Sequence, residues 1–376
     1  WGVAYASGPN YNMEWRHLDR ATQAGSLGVA VEATERAMAE RDGASAVERA
    51  LIEALPARYP SRMPVDGIEA WNDAFADAMR GVYRAFPDDL EVTAIFAEAI
   101  LNRTPWRMWD LATGEPAAGA GTLEARAVLE RAMECEAAWR HPGILHLYVH
   151  LMEMSPHPEK ALKAGDALRT LVPDAGHLVH MPTHIDVLCG QYHDVVVWNL
   201  EAVAADRKEF ARSGGMNFYT GYRQHNLHFV IYGALFLGQY RPALEAAREL
   251  VATTPEALLR AEDFPMADFF EAFTAMVWHV FIRFGKWEEI LAEPMPDDPV
   301  LHCTGVATAR YARGVALAAL GRVGEAEEEA RRFEEARARV PESRLLHNNT
   351  VVDLLAIAAE MLRGEIAYRE GAHEAA

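Results

Sequence analysis

Apolar residues recur every three or four positions along almost the whole chain, interrupted by short polar, Gly or Pro breaks, and no useful stretch alternates with the period of a strand. The pattern predicts helices over 20–41, 44–54, 67–85 and 90–102, with Asp88 or Asp89 as N-cap of the last. It continues over 122–138, 143–154, 158–171, 175–189, 192–211, 217–238 and 240–253, then 266–284, 287–293, 301–320, 322–339 and 346–365. Trp1 to Ser7 reads as the end of a helix whose partner is expected upstream, and Gly8-Pro-Asn-Tyr-Asn12 as a turn. The run from Asn102 to Gly121 mixes Trp, Pro and Gly and breaks the rhythm, so residues 103–119 are expected to form an inserted loop. Trp106 and Trp109 need apolar partners there, and the loop is expected to cover one mouth of the binding groove.

The breaks themselves repeat. Gly190-Gln-Tyr, Gly238-Gln-Tyr, Gly285-Lys-Trp and Gly321-Arg-Val mark successive turns, Ala161, Ala243 and Ala326 follow five residues after a turn, and Pro173 and Pro255 close second helices. Histidines keep step with these marks. His146 and His150 precede Pro156 by ten and six residues, His180 and His184 precede Gly190 by ten and six, and His228 precedes Gly238 by ten, with His177 and His225 at thirteen. His146 to His180 and His150 to His184 are both 34 residues, a helix-turn-helix repeat period. Spacings of three and four put such side chains on one helical face.

These turns, small residues and closing prolines resemble tetratricopeptide repeats, clearest over 121–340, with degenerate repeats over 1–120 and a C-terminal capping helix in 341–376. The runs HLYVH and GHLVHMPTH, with GPNYN near the start, further resemble a bacterial group of tetratricopeptide proteins of unassigned chemistry. The resemblance implies one all-α domain over 1–376, a right-handed superhelix (α-solenoid) of helical hairpins with no sheet larger than a hairpin. Its concave groove would be lined by the first helix of each pair. The fold most often binds peptides, and its groove register usually carries Lys, Arg and Asn; here that register carries histidine.

Composition narrows the function. The net charge of -19, with Lys and Arg dispersed among Glu and Asp, argues against nucleic-acid binding. No apolar run is long enough to suggest a membrane span. Cys135, Cys189 and Cys303 lack the pairing of a disulfide framework or a thiolate zinc site. The chain begins at Trp1 without an apolar signal core, so a soluble, cytoplasmic protein is the default expectation.

Seven of the fifteen histidines (His146, His150, His177, His180, His184, His225 and His228) are the candidate metal ligands. Neutral imidazole suits Zn, Cu, Fe and Ni, and an i,i+4 pair can chelate an ion from one helix. His146, His150, His180, His184 and His228 are expected to converge on one ion, with His177 and His225 beside it. Glu153 and Asp186 are the nearest carboxylates in sequence but sit off the stripe, which leaves Glu98 as the best acidic candidate. Tyr232, in the register of His184, is a candidate proton donor, and His279 extends that register; His302, His347 and His373 lie outside it and receive no role. The leading expectation is a copper-dependent oxidoreductase that activates oxygen on a small molecule or peptide in the groove, with zinc or iron as alternative ions. A zinc hydrolase using Glu98 or Glu153 as base and a non-catalytic adaptor for a partner peptide are the rival expectations.

Overall fold

Apolar periodicity and end signals give the helices their limits in the computed structural model, which describes residues 1–261, 266–374 and 376. Asp19 accepts from the N–H groups of Ala21 and Thr22 to start Arg20–Glu40, and Ser45 with Glu48 forms a capping box at Ala46–Arg58. Asp89, one of the two expected caps, accepts from Val92 N at 3.0 Å and starts Leu90–Leu101. The turn glycines at the other ends work through backbone freedom. Gly190, Gly238, Gly285 and Gly321 all have φ between 62° and 75°, where a side chain would be strained. After three of them an N–H reaches back to close the helix, as in Gln239 N to Ala234 O, Lys286 N to Phe281 O and Arg322 N to Leu317 O.

The protein is all-α among its described residues, apart from the antiparallel pair Leu345–Leu346 and Asn349–Thr350 and two isolated bridges. Several expected helices are interrupted. The 175–189 helix is split into Gly176–His180 and Pro182–Leu188, because Pro182 supplies no N–H to continue the first segment. The 266–284 helix is divided by a 3-10 turn at Ala272–Ala275, and the last helix starts at Val351, capped by Thr350, after the small hairpin has used residues 345–350. Residues 102–121 form no helix, with Trp109 bridged to Pro116.

The chain packs as two compact units, residues 1–173 with 181–190, and residues 174–180 with 191–376. In the first, consecutive helices pack against one another, and a buried ion pair fixes the helix Pro182–Leu188. Both oxygens of Asp186, which is fully buried, receive hydrogen bonds at 2.8 Å from the Arg169 guanidinium. In the second, Tyr192–Ser213, Tyr219–Leu237 and Tyr240–Ala252 pack in sequence, as do Cys303–Ala319, Val323–Arg337 and Val351–Glu370. Ala161, Ala243 and Ala326 are fully buried at their helix crossings, where a larger side chain would push the hairpin apart. Glu271, also fully buried, accepts from Gly305 N at 2.9 Å and Thr304 N at 3.3 Å, so it caps Cys303–Ala319 from a distant segment.

The Arg169–Asp186 pair yields a direct test. Asp186→Ala leaves a buried guanidinium without its counter-charge and should cost about 3–5 kcal/mol in urea unfolding, whereas Arg169→Met with Asp186→Leu should cost much less. Equal losses in the two variants would show that the ion pair does not anchor this helix.

Candidate metal centre

The seven histidines divide between the units: His146, His150 and His184 belong to the first, and His177, His180, His225 and His228 to the second.

In the first unit Pro142 occupies the opening turn of Pro142–Met152, and the His141 ring caps it, Nδ1 accepting from Ile144 N at 3.2 Å. One face of this helix carries His146 and His150, their ring centroids 4.6 Å apart. Glu153 follows at the helix end with helical backbone angles, and its carboxylate turns back to the stripe that it was expected to miss. Its two oxygens accept from two rings, His150 Nδ1 at 2.7 Å and His184 Nδ1 at 2.8 Å. Burial disfavours its charge, but the His184 charge and the hydrogen bonds from both rings prevail and hold the carboxyl down at about 2. An ionised Glu153 can only accept, so both Nδ1 atoms carry protons, and a neutral ring then has its lone pair on Nε2. This is the outer-carboxylate arrangement that orients metal-binding histidines. Asp186, the other nearby carboxylate, is committed to Arg169 and supplies no ligand.

The turn GPNYN and the loop 103–119 complete this cluster. Tyr11 and Trp106 place their rings 4.6 and 5.5 Å from that of His150, and Asn12 Nδ2 lies 3.5 Å from His150 Nε2. Trp106 adopts a φ of 58°, uncommon for a bulky residue. Trp109 is buried instead, its indole N–H donating to Leu151 O at 2.6 Å. Burial and the neighbouring His150 hold His146 well below the ordinary imidazole range, against the opposing charge of Glu153. Glu98 lines a cavity with His146, and burial alone pushes its carboxyl up to about 7.

The second unit fixes its rings from Tyr192–Ser213. Asn199 Nδ2 donates to Val195 O at 2.7 Å, which turns the amide oxygen towards His180; that oxygen accepts from His180 Nδ1 at 2.6 Å. The His180 proton is thereby placed on Nδ1 and its lone pair on Nε2. Two turns further, buried Asp206 accepts from Tyr219 O–H at 2.8 Å and from Asn226 Nδ2 at 2.7 Å, pinning the helix that carries His225 and His228. Gly176 permits the approach of the His177 segment, since a Cβ there would stand 2.1 Å from Asp206 Oδ1. His177 lies against Tyr222, and His180 stacks edge-on to His225 at 4.6 Å.

His347, to which the sequence pattern gave no role, joins His225 and His228 in one group. It sits at the turn of the hairpin before the last helix, with φ at 52°, and is placed beside a helix 122 residues away. One ligand nitrogen each from His225, His228 and His347 lies within 4.8 Å of the other two. Imidazole nitrogens that share a tetrahedral ion at about 2.0–2.1 Å stand about 3.3 Å apart; His225 Nδ1 and His347 Nε2 stand 3.3 Å apart. His228 Nδ1 is buried without a hydrogen-bond partner, and burial, reinforced by His347 and His279, holds this ring down at about 3. His228 also lines a cleft of about 510 Å³ whose other polar members include Tyr232, His279 and Thr308, with mostly apolar walls. The two expected catalytic residues belong to different units, Glu98 to the first and Tyr232 to the second. A histidine at a turn needing positive φ was the one local oddity that pointed to His347, and helical periodicity could not register it.

Glu153 gives a pH test. Its carboxyl is held below the ordinary value of 4.5 in the folded protein, so its stabilising effect is complete above that value and is lost as pH falls towards about 2. The unfolding free-energy difference between the protein and Glu153→Gln should shrink by about 3 kcal/mol from pH 5 to pH 2. A difference constant over that range would contradict the clamp. Comparison with known families finds no matching family model, and no curated protein matches the chain, so the functional reading rests on the geometry of the site.

Proposed function

We propose that the protein is a metal-dependent oxidoreductase whose ion, copper before zinc, is held by His225, His228 and His347 beside the 510 Å³ cleft. The observation that carries this reading is the His225–His347 nitrogen separation, which matches two ligands of one ion, next to a buried His228 nitrogen without a protein partner. A donor set of three imidazoles without carboxylate favours copper or zinc over magnesium, calcium or iron. Copper is preferred because the cleft lining contains, among the described residues, no Asp or Glu to serve as a hydrolytic base. The ion would supply one-electron and dioxygen chemistry.

The chain's own groups define the substrate side. Apolar walls from Ile231, Met276, Leu355 and Met361 would exclude water and take a small, largely apolar molecule. Tyr232, half-buried in that wall, would hold a phenolic proton at its oxygen, and burial raises its pKa so that the proton stays in place at neutral pH. The first unit's clamped histidines would bind metal in the same tautomeric manner. The helical hairpins of each unit belong, in this reading, to the tetratricopeptide manner of stacking, with histidine replacing the residues that bind peptide.

The test uses protein purified without a histidine tag, loaded with copper or zinc, dialysed and analysed by elemental mass spectrometry. His347→Gly should lose at least one equivalent of metal, or bind it at least about tenfold more weakly. Glycine accepts the positive φ without strain, so the metal-free variant should be no less stable than the parent. Unchanged metal content in that variant would overturn the assignment.

A further inference from the structure

A second cavity, of about 500 Å³, opens in the first unit between Leu90–Leu101 and Pro142–Met152. Exposed Glu91 and Arg140 stand at its mouth, and Glu98 and His146, less exposed, stand on its wall beside apolar Ile95. One of its polar groups is already committed. His141 spends Nδ1 on the helix cap, and its Nε2 faces Glu91 Oε1 at 3.3 Å. The Glu98 side chain, by contrast, has neither hydrogen bond nor ion pair among the described residues, and no cation stands near enough to alter its ionisation.

A partly exposed carboxyl on a cavity wall, with no donor from the chain, has its acceptor positions free for a donor that enters the cavity. An ionised carboxylate offers only acceptors, so that donor is best a cation, and an ammonium brings three N–H groups as well as charge. Arg140 offers the complement, a guanidinium at the mouth with no carboxylate paired to it among the described residues. We propose that this cavity binds a small amino acid-like molecule, its ammonium group against Glu98 and its carboxylate towards Arg140. The aliphatic part between the two charges would lie along Ile95. This cavity lies within the first unit, and the proposal does not depend on the metal centre proposed in the second.

Calorimetric titration with n-butylamine, butyrate and 4-aminobutyrate tests the assignment. Both amines should bind saturably and butyrate should not, with 4-aminobutyrate the tighter. Glu98→Gln, which keeps the side-chain volume, should weaken both amines at least tenfold with an unchanged circular dichroism spectrum. Arg140→Gln, at an exposed position, should weaken 4-aminobutyrate alone. Absence of saturable amine binding, butyrate bound as tightly as the amines, or amine affinity unchanged in Glu98→Gln would each overturn the proposal. Should Glu98→Gln fail to fold, the Arg140→Gln contrast between the two amines decides.

Discussion

The hydrogen bond at Nδ1 is the constraint on which the histidine arrangement depends. An imidazole on an interior helix face can carry its proton on either nitrogen, and burial penalises the doubly protonated ring. Glu153 settles the question for His150 and His184, and Asn199 settles it for His180, in each case by an oxygen that can only accept. The partners are themselves held: Asn199 by Val195 O, the His184 helix by Arg169 and Asp186, and the His225 helix by Asp206. The outcome is a series of rings oriented with Nδ1 committed to an acceptor, as coordination through Nε2 requires.

Much of the fold was legible because local rules and tertiary packing agree. The glycine turns are visible in sequence for a physical reason, since each stands at a positive φ that only glycine adopts freely. The buried alanines after the turns were legible in the same way. The breaks within helices were less so. Pro182 splits a segment whose apolar and histidine periodicity runs straight through it, and periodicity does not report on a missing N–H.

The site was legible only as far as helical spacing reaches. The register collected seven histidines but passed over His347, because a hairpin turn has no helical phase and the contact spans 122 residues. Glu153 was discounted on spacing alone, although a residue at i+3 with helical backbone angles returns to the same face. Both omissions share a cause: the chemistry depends on where side chains end, and periodicity describes where they begin. The positive φ values at Trp106 and His347 lie beside the two histidine clusters, where strain of order 1–3 kcal/mol would be tolerated for function.

The central claim is an ion ligated by imidazole alone in the second unit. X-ray absorption at the metal edge of copper-loaded protein reports this directly. The account predicts three nitrogen ligands at about 2.0 Å with the outer-shell scattering of imidazole rings, and loss of one ring's contribution in His347→Gly. A first shell of sulfur, or of oxygen without imidazole scattering, would contradict it.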